Sequence, residues 1–326
     1  MDGKTGKDQP VIRLFRREKD LAGLVQLRID NEACDHAGND LTESAVIGTL
    51  NWLGHDPEKD RWVIEALENP ARLIGHAWAR VQSQERTVIY VAIHPEWRRK
   101  ELGSGLLSCA LARAREHGAN HVTTAIDAKN KGAEGFLFRN GFEHAGDNRI
   151  MQAPAGIPLP EPVWPAGYTV RSFADVKELS TLVEAFNRCY GDMWGHLENT
   201  QGAMNADFLS GLMKTYSNQF IPEGIFIIFA PDGDIAGVCV AKLGAEVEGH
   251  NEEREMTVDS PGVAPAYRPL GLQRPLVLTA MQWLRGYGAG PIKLETYGDG
   301  QAAAEIYAQA GFVMQEHYVE YRRYLS

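Results

Sequence analysis

Apolar positions along this chain follow two rhythms, a period of two that predicts strands and a period near 3.6 that predicts helices. In the first half they predict strands over 61–66, 72–82, 88–93 and 121–127, with helices over 102–117 and 132–140. The second half repeats that order, with strands over 225–230, 235–243, 255–263 and 292–297 and helices over 272–287 and 302–310. Each half opens on a short β-like segment, 11–15 and 168–173, and a mixed helical region that is about a dozen residues longer in the second. The central helices each carry one apolar stripe, Leu102, Leu106, Cys109 and Ala110 in one and Leu272, Leu276, Thr279, Ala280 and Trp283 in the other. By itself that spacing means core packing.

The halves superimpose at one offset of 170 positions without a gap. Ile93-His94-Pro95 falls on Val263-Ala264-Pro265, Trp97-Arg98 on Tyr267-Arg268, Leu106 on Leu276, and Gly141-Phe142 on Gly311-Phe312. A fixed internal offset is the mark of a duplicated unit. Between the copies, residues 153–167 hold five prolines, which preclude a helix interior or central strand. The expected organisation is α/β, with an N-terminal domain over 1–152, a proline-rich linker over 153–167 and a C-terminal domain over 168–326. The length of 326 residues agrees with two cores rather than one.

Composition narrows the class. The 44% hydrophobic and 23% charged content is that of a folded globular chain. No stretch supplies the roughly 18 uncharged apolar residues of a membrane span, and the first ten residues lack a signal-peptide core, so a cytoplasmic protein without membrane partners is expected. Cys34, Cys109, Cys189 and Cys239 are scattered, form no CxxC pair and are expected to be buried free thiols, with no metal site. A net charge of -10 argues against nucleic acid as a partner and suits a cationic acceptor.

The chemistry gathers at the start of each central helix. In the first copy a strand ends at His94-Pro95, and Arg98, Arg99, Lys100, Glu101, Leu102, Gly103, Ser104 and Gly105 run into a helix. Unbonded N–H groups, the positive end of the helix dipole and a glycine that allows close approach make such a turn an anion site. A capped helix start with a solvated basic turn is the plainer alternative. Downstream come a strand, Asn130, Ala133 and a short helix closed by Gly141-Phe142.

In this order and spacing the chain resembles the GCN5-related N-acetyltransferases, whose signature is Val-x-Pro, Arg-x-x-Gly-x-Gly/Ala, Asn-x-x-Ala-x-x-Leu-Tyr and Gly-Phe. The resemblance occurs twice and covers most of the chain. It implies two tandem domains of that type, each a mixed, mostly antiparallel, splayed central sheet flanked by helices. It also implies acetyl-CoA as acyl donor, a small-molecule amine as acceptor and no metal, in a monomer or a homodimer.

Each copy departs from the pattern differently. The first has Glu101 in place of the family's first glycine and keeps Asn130, the cofactor-contacting asparagine of the family. The second keeps that glycine as Gly271, within Arg268, Gly271, Leu272, Gln273 and Arg274, but has Gln273 for the closing glycine, Gly300 for the asparagine, and Pro269 and Pro275 without N–H donors. Three adjacent basic residues make copy one the stronger expected acetyl-CoA site, with both copies loaded as the alternative.

The resemblance further implies a backbone N–H oxyanion donor at Ile93 or Val263 and a leaving-group acid at Tyr307, where copy one has Leu137. Tyr307 also reads as a packed helix aromatic. Asp259 lies on the strand face of Glu255, Thr257, Pro261 and Val263, and reads equally as a base or as a carboxylate capping a bulge at Ser260-Pro261-Gly262. Glu246, Glu248, Glu252, Glu253 and Glu255 read as a solvated acidic loop. A non-catalytic acyl-CoA-binding or sensing protein stays open as the second reading. A dinucleotide-binding oxidoreductase would need a strand leading into Gly-x-Gly-x-x-Gly with an acidic residue about 20 positions on, and no such fingerprint is present.

Overall fold

The computed structural model describes residues 10–36, 40–52, 54–83, 85–193, 204–215, 220–244, 254–296 and 298–325. The chain forms two compact units, residues 1–144 with 320–326, and residues 145–319. The proline-rich stretch 153–167 therefore lies inside the second unit.

The first unit contains β1 (Ile12–Leu14), α1 (Arg17–Asp35), α2 (Glu43–Leu50), β2 (Arg61–Ala66), β3 (Asn69–Val81), β4 (Arg86–Ile93), α3 (Leu102–Glu116), β5 (His121–Asp127) and α4 (Lys131–Arg139). Its strands lie in sequence order from β1 to β5. All neighbours are antiparallel except β4 and β5, which run parallel. The α3 stripe buries Leu106, Leu107, Ala110, Leu111 and Ala114. Leu106 joins Ile64, Ile74 and Ala77 on one sheet face, while Leu24, Leu27, Val46 and Leu50 of α1 and α2 cover Val63 and Leu73 on the other.

The second unit contains most of β6 (Glu143–Ala153), then β7 (Thr169–Ser172), α5 (Phe173–Val176), α6 (Leu179–Tyr190), α7 (Ala206–Thr215), β8 (Ile225–Phe229), β9 (Ile235–Leu243), β10 (Met256–Asp259), β11 (Gly262–Val263), α8 (Gln273–Arg285), β12 (Ile292–Glu295), α9 (Gln301–Gln309) and the first part of β13 (Val313–Tyr324). Its sheet order is β7-β8-β9-β10-β12-β6, with β10 and β12 parallel and the other pairs antiparallel. Leu276, Val277, Ala280, Met281 and Leu284 of α8 pack on Val258, Leu294 and Ala241.

The last strand is divided between the units. Residues 313–319 belong to the second, but residues 320–326 belong to the first. There the Leu325 N–H donates to the Asn120 carbonyl at 2.8 Å, and Tyr321 Oη donates to Glu134 at 3.0 Å.

The predicted elements are recovered to within a few residues, with one break. The strand expected over 255–263 is two, because Ser260 and Pro261 interrupt it. Met256, Thr257 and Val258 pair with Leu243, Lys242 and Ala241, whereas Gly262 and Val263 pair with Val238 and Gly237. The register moves by one residue, which is a bulge. Asp259 consequently shares a face with Thr257 but not with Val263, which turns to the α8 side beside Val258. Cys34 is exposed and Cys109 half-buried, contrary to expectation, while Cys189 and Cys239 are buried free thiols. Among the described residues no helix is long and apolar enough to cross a membrane.

Candidate active site

In both units the parallel strand pair comes apart. In the first, β4 and β5 pair only from Arg86 with His121 to Val88 with Thr123, although β4 runs on to Ile93. In the second, β10 and β12 pair as far as Asp259 with Glu295, and the Ser260 N–H makes a last bond to the Glu295 carbonyl at 2.8 Å. Beyond it β11 pairs only with β9.

Backbone direction at these gaps is fixed by the next residue. The His94 N–H donates to the Ile74 carbonyl at 2.9 Å, and the Ala264 N–H donates to the Ala236 carbonyl at 3.0 Å. Because successive residues turn their backbone groups to opposite strand edges, the N–H groups of Ile93 and Val263 face the gaps. These are the two predicted oxyanion donors.

The two predicted arginines serve that backbone. Arg98 Nε donates to the Ile93 carbonyl at 3.0 Å, and its terminal nitrogens hold Asp35 at 2.7 Å. Arg268 Nε donates to the Val263 carbonyl at 3.0 Å, and its terminal nitrogens hold Asp192 at 2.7 and 2.6 Å. Both guanidiniums thus tie a strand end to the end of an early helix. Neither carboxylate partner came from sequence. Asp35 and Asp192 stand 157 positions apart, the spacing of the early segments rather than of the later repeat, and that second offset was the available signal.

The turns before α3 and α8 have one shape. Glu101 has φ 62° and Gly271 φ 68°, both left-handed. Arg99, exposed, is left-handed too, at φ 63°. Glu101 is exposed, so its carboxylate turns to solvent as a phosphate site would require. The Lys100 ammonium sits over the Trp97 ring at 4.4 Å. The Ser104 and Gly105 N–H groups donate to the Glu101 carbonyl, so α3 opens with those of Leu102 and Gly103. Asn130 caps α4, its side chain accepting from the Ala133 N–H at 3.0 Å.

In the second unit Leu272, Gln273 and Arg274 present the opening N–H groups of α8. Pro275 occupies the third helical position, and Pro269 lies in the preceding 3-10 turn (Pro265–Leu270). Gln273 Oε1 is buried without a hydrogen-bond partner, and among the described residues Arg274 has no ion pair. The unpaired Arg274 guanidinium and the opening N–H groups of this helix fit a polyanionic ligand such as the pyrophosphate of acetyl-CoA, whereas the unsatisfied Gln273 oxygen is an acceptor that calls for a donor.

The predicted catalytic groups both hold partners. Tyr307 is fully buried, and its hydroxyl donates to Asp299 Oδ2 at 3.0 Å. Burial, reinforced by Asp299, holds the phenol well above its ordinary range, and burial likewise raises the Asp299 carboxyl. The Ser260 hydroxyl lies beside both without a well-formed bond. Arg149, also buried, reaches the Asp299 carbonyl and Asp147, which His317 contacts at 2.6 Å. Asp259 is ion-paired with Lys242 at 2.5 Å. The bulge is braced by Tyr190, whose hydroxyl donates to the Ser260 carbonyl at 2.7 Å. Asp299, directly before Gly300, and Tyr190, which ends a helix 70 positions from Ser260, carry no periodic or motif signal in the sequence. Glu246, Glu248, Glu252 and Glu253 lie outside the described residues.

The family model described as "Acetyltransferase (GNAT) family" matches residues 25–142 and again 179–312. The chain belongs to this family. Its duplicated match follows the two splayed strand pairs just described. A mycothiol acetyltransferase of a Nocardioides species is 27% identical over 93% of this chain and 97% of its own length. One from Rhodococcus erythropolis is 28% identical over 74% and 77%. A crystal structure of a GCN5-related N-acetyltransferase from Sphaerobacter thermophilus superimposes with a TM-score of 0.68 at 20% identity, covering 98% of this chain and 96% of that one. A tandem GNAT protein from the clavulanic acid biosynthesis pathway gives 0.56 at 14% identity, covering 97% and 98%. These two likenesses concern the fold.

Proposed function

We propose that this GNAT-family acetyltransferase transfers the acetyl group of acetyl-CoA to the amine of a small molecule, with the chemistry in the second unit. The observation that carries the reading is the Val263 N–H, turned into the gap beyond β10 and β12 with its carbonyl held by Arg268. A fixed N–H in such a gap is an oxyanion donor that needs no rearrangement during reaction. Acetyl-CoA supplies the thioester. Leu272, Gln273 and Arg274 hold its phosphates, Tyr307 gives its proton to the departing thiolate, and Asp259 accepts the acceptor's proton. In the first unit the same role of holding phosphate falls to Arg99, Lys100 and the N–H groups of Leu102 and Gly103. The relatives named mycothiol acetyltransferase support acetyl as the transferred group and make deacetylated mycothiol the first acceptor to try.

One observation favours a second reading, an acyl-CoA-binding or sensing protein: Tyr307 and Asp259 already hold Asp299 and Lys242. Calorimetric titration of acetyl-CoA into the full chain, followed by thiol release with deacetylated mycothiol and a panel of primary amines, separates the two. Two binding sites, one lost in Arg274→Glu and the other in Arg99→Glu, with turnover lost only in Arg274→Glu, is the expected result. Binding without turnover selects the sensor, and no binding overturns both.

A further inference from the structure

One sheet face of the first unit carries a group of side chains that acetyl transfer does not use. Register sets Arg61 opposite Trp78 and Val63 opposite His76, then Trp78 opposite Tyr90 and His76 opposite Ala92. Arg61, His76, Trp78 and Tyr90 therefore project to one side of the sheet, the side of α1 and α2.

Arg61 is 1% exposed. Its Nε donates to His55 Nε2 at 2.8 Å and a terminal nitrogen donates to the Thr49 carbonyl at 2.5 Å. Among the described residues no carboxylate bonds to it. The adjacent Asp60 is taken by Arg113 Nε at 2.7 Å and by the Asp56 N–H. Burial, with Arg28 adding repulsion, pushes the Arg61 guanidinium down to about 9.

Two more groups on this face lack partners. His76 is 5% exposed and its Nε2 makes no hydrogen bond. Arg28, half-buried on α1, has no ion pair or hydrogen bond among the described residues, and its charge acts on Arg61, His76 and Tyr90. Asp35 and Glu32 act at the Tyr90 end, and Asp35 is already held by Arg98. Arg80 adds another cation, over Trp52 at 4.7 Å. The aromatic side is ordered: Trp78 stacks on Tyr90 at 5.8 Å and 14°, and Trp52 meets Trp78 edge-on at 5.0 Å. Tyr90 is 39% exposed, so the aromatic end of this group reaches solvent.

A buried cation without a bonded carboxylate and a buried ring nitrogen without a partner are both costly unless a ligand completes them. A planar anion satisfies the guanidinium fork, and a flat apolar body satisfies the aromatic rings. We infer that this face binds a small carboxylate bearing a flat apolar group, its carboxylate on Arg28, Arg61 and the His76 ring nitrogen and its body on Trp78 and Tyr90. An amine is disfavoured there by the surrounding positive charge.

The test uses the full chain without acyl donor, so its outcome is independent of the transferase reading. Benzoate, benzamide and benzylamine are titrated while the indole N–H signals of Trp52 and Trp78 are followed by NMR. Benzoate should give saturable shifts, with benzamide about tenfold weaker and benzylamine inert. Arg28→Gln, checked for an unchanged melting temperature, should weaken benzoate about tenfold. Unmoved indoles, equal binding of benzylamine, or unchanged affinity in Arg28→Gln would each overturn the site.

Discussion

The guanidinium of Arg268 holds both carboxylate oxygens of Asp192, at 2.7 and 2.6 Å, while its Nε holds the Val263 carbonyl at 3.0 Å. A side chain so engaged orients backbone rather than gripping phosphate. Arg268→Gln should therefore lower turnover by tenfold to about a hundredfold with a smaller change in acetyl-CoA affinity. Asp192→Asn should move both quantities in the same direction by less. Since the pair is half-exposed, stability should fall by only about 1 kcal/mol. Steady-state kinetics beside calorimetry decide it, and an equal loss of affinity and rate would return Arg268 to the phosphate.

Glu101 stands in a backbone conformation that glycine adopts at the equivalent Gly271. Left-handed backbone costs a side chain about 1 kcal/mol relative to glycine. Glu101→Gly should raise the stability of the first unit by up to that amount and, by removing a carboxylate near the turn, tighten acetyl-CoA binding there. Gly271→Glu should do the reverse in the second unit. Thermal melts and calorimetric stoichiometry read both effects.

Tyr307→Phe leaves the buried Asp299 carboxyl without its donor, which should cost about 1–3 kcal/mol and reduce turnover. Asp299 also makes stability depend on pH. Its folded pKa is raised, so between the ordinary carboxyl value of 3.8 and the folded one the native state binds more protons, and stability falls as pH rises through that window. Asp299→Asn should abolish this fall. Melting curves of the two proteins from acid to neutral pH should diverge in favour of the variant as pH increases.

The first unit should lose stability in acid. Burial pushes His55 down to about 4 and His76 well below 6.5, so both are neutral when folded. The unfolded chain binds more protons between 6.5 and 4, and stability present above 6.5 drains away as pH falls to about 4. His55→Gln should flatten that slope in denaturant melts, and a slope unchanged in the variant would assign it to other groups.

Sequence reading reached the duplication, nearly every strand and both helix-opening turns, because these are set by local periodicity and by glycine and proline at fixed offsets. The bulge was legible too, from Ser260-Pro261-Gly262, yet its effect on facing was not, since parity beyond a bulge depends on the partner strand. Asp35, Asp192, Asp299 and Lys242 escaped because their partners lie 8 to 76 positions away, at spacings no periodic pattern reports. Arg98 and Arg268 were found as residues but pointed elsewhere, for a guanidinium at a turn looks alike in sequence whether it meets phosphate or aspartate.

The division of the last strand bears on how the protein is made. Residues 320–325, translated after the whole of the second unit, complete the sheet of the unit translated first. Until then β5 has an unpaired edge, a surface that recruits other strands. A gene fragment ending after residue 152 should therefore yield insoluble material, and a break in the chain after residue 319 should disturb the first unit before the second.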